Sequence, residues 1–434
     1  MESSFKHNVS FTMLSRIIIL LLAVGTQSCL AWILGPGERG SFAVCQLFAV
    51  ILNLFFVMGL EVSSIYFVSS KKCSLSEGVI SIFAYGGISS FLAIIAGCVA
   101  IQFNFAYFHK ASHLSFFLAL LTIPTSLLAS SLILLLTAVN EFKWFAIVSV
   151  ADGIFLLLFT ILFVMIGRFG VNGALTAVFI QGFLSTIVTL LFLTKRHGIY
   201  FVKPSVMRLT EMFYYGVRFH IGKASNLVNI HMGTMMAAIF LTKEDVGSFA
   251  IASQIIIRIM VIPDTLTTVL LPKVASKWND MSRDIAKLTR ITGVITSITL
   301  VLFVLMAKPI VMILFSPAFL PAVPIIQILA IGITIRGPSK IFEPYLLGVG
   351  WPGRVSISSV VTLITNIILA VLFLSWWGLT GVAIGTSLAY FCGAYVLLLG
   401  FKKHSSLKYG AIFRFKQSDF SLLFDLIKSK RARV

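Results

Sequence analysis

Charged residues are scarce in this sequence. Asp, Glu, Lys and Arg together make up 11% of the 434 residues, whereas a soluble domain carries about 25%. Acidic residues are the rarest of them, with 15 Asp and Glu against 34 Lys and Arg. Hydrophobic residues reach 58% of the chain. This composition excludes an ordinary soluble protein and is typical of an integral membrane protein.

Cysteine is also scarce, and the sequence has no CxxC pair. A disulfide framework or a zinc site is therefore not expected. A Walker A loop, which would indicate intrinsic ATP drive, is missing from the sequence, as are HExxH and GxSxG stretches. We therefore predict neither an enzyme with catalytic residues nor a bound cofactor or metal.

Long apolar runs are what the sequence does contain, for example residues 17–34 and 116–136. A membrane-crossing helix needs about 20 apolar residues, whereas a barrel strand shows short alternating segments. The first run is long and continues into a Gly-Pro turn, so we interpret it as a retained helix and not as a cleaved signal peptide. The predicted spans are 12–34, 42–70, 78–103, 113–137, 143–167, 173–194, 212–241, 247–272, 289–314, 321–347, 354–376 and 380–401.

Basic residues are distributed unevenly between the two sets of alternate loops. With a cytoplasmic N-terminus, the cytoplasmic loops and tail hold 24 of the 34 Lys and Arg and the opposite loops hold five. This positive-inside pattern predicts a multi-pass protein with both termini in the cytoplasm. It also explains the net charge of +19 without nucleic acid as a partner. Contact between the basic tail, residues 404–434, and anionic membrane lipids is possible, although a solvated tail is the simpler interpretation.

An internal repeat divides the spans into two sets of six. The sequence Gly40-Ser41-Phe42-Ala43-Val44 recurs 207 residues later as Gly247-Ser248-Phe249-Ala250-Ile251. Gly170-Val171-Asn172-Gly173 recurs 208 residues later as Gly378-Leu379-Thr380-Gly381. We therefore predict an all-α fold of two parallel six-helix bundles, residues 1–197 and 198–403. Transporters of this design bind substrate between the halves and use alternating access; a purely structural duplication is the alternative.

Nine charged residues lie inside the predicted spans when those near a span end, Arg16, Lys143, Arg290, Lys308 and Arg354, are counted with the adjoining loops. A charge facing lipid costs about 2.5–3.5 kcal/mol, so most of the nine must face a hydrated cavity or a partner. The cations concentrate in the second half, which favours an anionic substrate. The predicted substrate-binding residues are the cations Arg218, Lys223, Arg258, Arg336 and Lys340. The candidates for ion coupling are the acids Glu61, Asp152, Asp264 and Glu343.

Structural interpretations of these residues remain open. Arg218 lies near the end of its span and can extend its head group to the interface. Lys340 and Glu343 can form a salt bridge within one helix. His220 and His231 are more often hydrogen-bonded core residues than proton carriers. Glu61 can lie close enough to an interface to be solvated.

The sequence contains five short motifs, at residues 34–43 (LGPGERGSFA), 215–222 (YGVRFHIG), 263–275 (with PD and LPKVA), 348–352 (GVGWP) and 378–383 (GLTGVA). In this order they resemble motifs of the Wzx-type oligosaccharide flippases of the multidrug/oligosaccharidyl-lipid/polysaccharide exporter superfamily. The first is similar to the LGP-x-x-x-G-x-(Y/F)-A signature of that family, and the others are similar to segments around helices seven, eight, ten and twelve. One departure is His231-Met232-Gly233, where many relatives have Arg-Leu-Asp.

The resemblance implies a MATE-like fold and a flippase of the bacterial cytoplasmic (inner) membrane. Its expected substrate is an undecaprenyl-pyrophosphate-linked oligosaccharide, moved to the outer leaflet for O-antigen (lipopolysaccharide) or capsule synthesis. A polysaccharide polymerase and a chain-length regulator are the expected protein partners. An ion-coupled multidrug exporter of the same fold, and a membrane-embedded polymerase or acyltransferase of the same pathway, are the alternatives.

Overall fold

The structure is a computed structural model that describes residues 2–103, 106–203, 205–260, 263–264, 282–405, 407 and 409–414. Side chains are described for these residues except at 2–14, 106, 218, 219, 221–223 and 352. Throughout the described residues the regular structure is helical and no strand occurs. This confirms the predicted all-α fold.

The described residues contain thirteen α-helices, two of them kinked. They are α1 (Glu2–Val57), α2 (Leu60–Ser69), α3 (Leu75–Gln102), α4 (His113–Ala138), α5 (Phe142–Thr160), α6 (Gly170–His197), α7 (Val206–Phe240), α8 (Lys243–Ile259), α9 (Ser282–Leu314), α10 (Ala322–Ser339), α11 (Phe342–Gly348), α12 (Pro352–His404) and α13 (Tyr409–Phe413).

Eight of the helical segments in the described residues are long and apolar enough to cross a membrane. Two of these segments contain a glycine with non-helical backbone angles, Gly35 in α1 (φ 66°) and Gly378 in α12 (φ 54°). Each kinked segment therefore provides two crossings, as the sequence predicts from turns at these positions. The more polar helices α7 and α8 account for two further predicted spans. The fold thus has about twelve crossings.

Many exposed side chains on these helices are large and apolar. On α9, for example, Val301, Leu305 and Ile313 are 57%, 67% and 71% exposed. A soluble protein rarely exposes apolar patches larger than a few hundred Å², whereas lipid tails solvate such side chains. The exposed surface therefore agrees with a multi-pass membrane protein.

The contacts divide the chain into two compact units. Unit 1 contains Met1–Ala224, Ala238–Gly247 and Met312–Phe319. Its core includes Leu60, Leu127 and Leu132. The division of the sequence at residue 197 stays a prediction.

Unit 2 contains Ser225–Ala237, Ser248–Val311 and Leu320–Val434. Its main cluster joins one end of α9, α11 and α12 to α13. There Phe401 stacks on Phe342 with ring centroids 4.7 Å apart and meets Tyr345 edge-on at 4.9 Å. Ile412 of α13 is fully buried in the same cluster, so the short tail helix is part of the packed unit.

Candidate functional site

The charged residues of predicted span ten lie where that span is interrupted. Helix α10 ends at Ser339, just after Pro338, and α11 begins at Phe342. Pro344 lies four residues after Lys340, so it has no N–H to donate to the Lys340 carbonyl and its ring crowds that carbonyl. Glu343 N donates to this carbonyl instead, over 3.1 Å, which explains the interruption. Lys340 lies in the interruption itself, where the backbone stays in the right-handed helical region (φ −60°, ψ −24°).

Four predicted site residues form two ion pairs around this interruption, all within unit 2. Arg336 Nη2 lies 3.8 Å from Glu343 Oε1. Lys340 Nζ pairs with the Asp264 carboxylate. The structure therefore pairs Lys340 with Asp264 and not with Glu343, the salt bridge considered from the sequence. The two cations and two acids neutralise one another in this arrangement.

Arg336 is the least satisfied member of this ion-pair cluster. Its side chain is buried, with the residue only 5% exposed. Nη1 has no hydrogen-bond partner in the described part of the chain, and a 3.8 Å contact is too long for a hydrogen bond. A buried donor without a partner costs about 1–3 kcal/mol, more if it is charged. Arg336 thus keeps unused hydrogen-bonding capacity inside the membrane.

A second buried polar group in unit 2 connects α7 to the two parts of α12. Asn366 Nδ2 donates to Asn229 Oδ1 over 3.2 Å, and Thr386 Oγ1 donates to Asn366 Oδ1 over 3.1 Å. These three residues are at most 5% exposed. Charge counting in the sequence missed Asn366 and Thr386. The available signal was a lone amide in the apolar run of residues 363–371 (LITNIILAV).

The two acids of the first half lie in unit 1 and accept hydrogen bonds from uncharged groups. Glu61 Oε1 accepts from Ser130 Oγ over 2.9 Å. Asp152 Oδ1 accepts from Ser185 Oγ over 2.5 Å and also from Gln181 Nε2. Asp152 on α5 is thereby fixed against α6.

Within the described residues, no other predicted cation belongs to the ion-pair cluster. Arg258 is exposed on the last turn of α8. The side chains of Arg218 and Lys223 lie outside the described residues. Their role in binding stays a prediction.

Arg39 was counted from the sequence only as a loop cation, yet it is fully buried. Its Nη2 donates to Gln27 Oε1 over 2.6 Å, and the guanidinium carbon lies 5.2 Å from the centre of the Phe42 ring. Nε and Nη1 have no hydrogen-bond partner within the described ranges. The cation is therefore held inside unit 1, one residue before the first copy of the repeated motif.

The first residues of both copies of the repeated motif meet in unit 1. A Cβ atom on Gly40 would lie 1.7 Å from the Lys243 carbonyl oxygen, and one on Gly247 would lie 2.2 Å from the Pro36 carbonyl oxygen. A Cβ atom on either glycine would also lie 3.1 Å from the backbone nitrogen of the other glycine. We call this approach of residues 36–40 to residues 243–247 the glycine contact. Only glycine fits at both positions.

Lys110 makes two hydrogen bonds to segments that adjoin the glycine contact. Its carbonyl accepts from Ser41 Oγ over 2.5 Å, and its Nζ donates to the Leu241 carbonyl. Burial lowers the pKa of Lys110, while the nearby carboxylates of Asp245 and Glu244 oppose that shift. Three loops are thus joined beside the glycine contact.

Comparisons with known proteins agree with this architecture. The model of the family described as "Polysaccharide biosynthesis protein" matches residues 29–343. A structure of the lipid II flippase MurJ in an inward closed conformation superposes with a TM-score of 0.73 at 16% identity, covering 96% of this chain and 95% of that one. No curated protein matches the chain by sequence.

Two MATE transporter structures are also similar in fold. An inward-facing MATE family transporter of the MOP superfamily gives a TM-score of 0.68 at 16% identity and covers 91% of this chain and 99% of that one. A variant of the Vibrio cholerae MATE transporter VcmN gives 0.62 at 13% identity, with 93% and 99% covered. At such identities the likeness concerns the fold, which is shared by flippases and multidrug transporters. The family match and these folds confirm the resemblance that the sequence motifs indicate.

Proposed function

This chain belongs to the polysaccharide biosynthesis protein family, and we propose that it flips undecaprenyl-pyrophosphate-linked oligosaccharides across the bacterial cytoplasmic membrane. The direction is from the cytoplasmic to the outer leaflet, by alternating access, and the product serves O-antigen or capsule synthesis. The chain moves this substrate without changing it chemically. Both termini lie in the cytoplasm, as the distribution of basic residues predicts.

The buried, incompletely paired Arg336 carries this proposal. Arginine binds phosphate oxygens through two parallel hydrogen bonds, and lysine adds a point charge. A pyrophosphate arriving at the cluster offers Arg336 and Lys340 better acceptors than the carboxylate of Glu343, which lies 3.8 Å from the guanidinium. The substrate thus replaces the internal acids as the counter-ion, and the acids keep the site neutral when it is empty.

The membrane potential favours movement of the anionic substrate from the cytoplasmic to the outer leaflet. Outward movement of an anion from a negative interior is favoured by about 2.3 kcal/mol per charge per 100 mV. We propose that Asp152 couples flipping to the counter-movement of protons or sodium ions. Its hydrogen bonds with Ser185 and Gln181 are compatible with either protonation state of the carboxyl group. Substitution Asp152→Asn should keep basal flipping but remove its response to an imposed proton or sodium gradient.

Transport in proteoliposomes tests the proposal. A fluorescent polyprenyl-pyrophosphate oligosaccharide is reconstituted with the protein, and the fraction quenched by an impermeant reductant is followed over time. Removing a charged hydrogen-bond donor costs about 1.5–3 kcal/mol, so Arg336→Gln should slow flipping at low substrate by about tenfold to a hundredfold. Lys308→Gln, which removes an exposed cation at the far end of α9, should flip like the wild type.

The alternatives give different results in the same vesicles. A multidrug exporter would transport cationic dyes and would not require Arg336. A polymerase or acyltransferase would yield a chemically altered lipid, visible by mass spectrometry. Flipping at the wild-type rate by both Arg336→Gln and Lys340→Gln would exclude the proposed phosphate site.

A further inference from the structure

Unit 2 contains a cavity of about 550 Å³ between α9, α10 and α12. Ligand pockets typically measure about 300–1,000 Å³, so the volume is sufficient for an aliphatic chain. This cavity is separate from the ion-pair cluster around Lys340, because neither Lys340 nor its acidic partner Asp264 lines it.

The wall of the cavity is apolar. Its side chains include Ile298, Phe342, Phe391, Tyr395 and Leu398. Three of its five hydroxyl groups donate inside their own helices: Thr289 to the Ile285 carbonyl, Thr334 to the Ile331 carbonyl and Ser339 to the Arg336 carbonyl. The wall therefore suits an aliphatic chain better than a sugar or another polar group.

The cavity opens on the exposed surface of unit 2. Two of its lining residues, Ile298 and Tyr395, are 56% and 59% exposed. At the end that we propose is cytoplasmic, the tail helix α13 closes it, where Arg290 donates to the carbonyls of Ala411 and Ile412 over 2.7 and 3.2 Å. A chain can thus enter sideways from the bilayer, with its polar head left outside the closed end.

Cations precede the cavity along the same face of α9. Arg283, Lys287 and Arg290 are spaced i, i+4, i+7, and the face continues with the lining residues Val294 and Ser297. Residues with this spacing lie on one side of a helix. Arg283 is exposed and Lys287 is half-buried. One acid, Asp284, lies three residues before Lys287 at the edge of this face, so two cations face one carboxylate there.

We propose that this cavity and the adjacent cations form a binding site for an anionic phospholipid of the cytoplasmic leaflet. One acyl chain occupies the cavity, and the phosphate lies at Arg283 and Lys287. Basic pockets between helices on the cytoplasmic side of membrane proteins bind anionic lipid head groups in this way. The site does not depend on the transported substrate.

Native mass spectrometry of the purified, delipidated full chain tests the site. Dioleoylphosphatidylglycerol is titrated against dioleoylphosphatidylcholine and undecaprenyl phosphate. We expect one phosphatidylglycerol to bind at least tenfold more tightly than phosphatidylcholine. Each cation at the membrane surface contributes about fivefold, so Arg283→Gln with Lys287→Gln should weaken phosphatidylglycerol binding by about thirtyfold.

Cavity-filling variants and matched controls complete the experiment. Val294→Phe and, independently, Ser297→Leu should abolish the bound phospholipid. Lys308→Gln removes a cation at the opposite end of α9, and Val301→Phe enlarges an exposed side chain outside the cavity; both should bind phosphatidylglycerol like the wild type. Equal binding of the two phospholipids, no change in the double cation variant, or preferential binding of undecaprenyl phosphate would overturn the proposal.

Discussion

The glycine contact makes a sharp prediction for Gly40. A methyl group at this position would lie 1.7 Å from the Lys243 carbonyl oxygen, whereas Cβ atoms essentially never approach another heavy atom within 3.0 Å. The obstacle is backbone, which cannot rotate away as a side chain can. Gly40→Ala must therefore separate residues 36–40 from residues 243–247.

The size of the effect follows from the cost of overpacking. Adding a methyl group to a tightly packed contact costs about 1–3 kcal/mol, which changes an equilibrium by about 5- to 150-fold. In a carrier that opens and closes this contact in each cycle, the substitution should populate the open form. Gly247→Ala should act in the same direction, because its methyl group would lie 2.2 Å from the Pro36 carbonyl oxygen.

Hydrogen exchange with mass spectrometry measures this opening directly. Amide exchange reports the free energy of local opening, so peptides covering residues 36–47 and 241–250 should exchange about 5- to 150-fold faster in Gly40→Ala. Peptides from α4, whose inward side chains such as Leu120 and Leu127 are buried, should exchange at the wild-type rate. Flipping should slow in the same variant.

Gly37 supplies a matched control three residues away. A Cβ there would meet only the Glu244 and Lys243 side chains, at 2.8 Å from Oε1 and 3.4 Å from Cε, and flexible side chains can move. Gly37→Ala should therefore exchange like the wild type. Unchanged exchange in Gly40→Ala and Gly247→Ala, or an equal increase in Gly37→Ala, would refute the steric argument.

Three further predictions concern stability and reactivity. Arg39→Met should raise the free energy of unfolding by about 1–3 kcal/mol, because it removes two buried nitrogens without a partner and loses one hydrogen bond to Gln27; a lower midpoint in thermal unfolding would contradict this. Asn366→Ala should lower the free energy of unfolding by about 1–3 kcal/mol, because the buried Asn229 loses its partner, whereas Thr386 keeps its hydrogen bond to the Val382 carbonyl; an unchanged midpoint would contradict that role. Burial raises the pKa of the Cys73 thiol to about 11, so its alkylation rate should keep rising between pH 9 and 11, whereas an ordinary thiol (pKa ~8.5) levels off; peptide mapping by mass spectrometry distinguishes the two curves.

Local sequence signals were enough to predict most of the fold. A run of about 20 apolar residues predicts a membrane-crossing helix, because backbone groups inside the bilayer must pair within the helix itself. The turns at Gly35 and Gly378 were also readable, because glycine next to proline or in a repeated motif marks a change of direction. Breaks inside an apolar run carry weaker signals, and the separation of α1 from α2 at Met58 and Gly59 was therefore missed.

The ion pairs of the site were harder to predict. Spacing along a helix placed Lys340 beside Glu343, whereas the Lys340 side chain pairs with Asp264, 76 residues away in sequence. Burial of Arg39 was equally hidden, because its partner Gln27 lies across a kink. Such contacts depend on how segments distant in sequence pack together, and this packing cannot be predicted from composition and periodicity.

The ion pairs of Lys340 and Arg336 would allow an anion carrier to change conformation without bound substrate. Two unpaired cations in the membrane would cost several kcal/mol, and this cost would recur whenever the substrate leaves. Asp264 and Glu343 remove it by neutralising Lys340 and Arg336 inside unit 2. The 3.8 Å separation of Arg336 from Glu343 also keeps that pair weak, so that the pyrophosphate of the proposed substrate would replace the carboxylate. A tighter internal pair would stabilise the empty carrier at the expense of binding. The incomplete pairing of Arg336 is thus the property that a carrier of an anion requires.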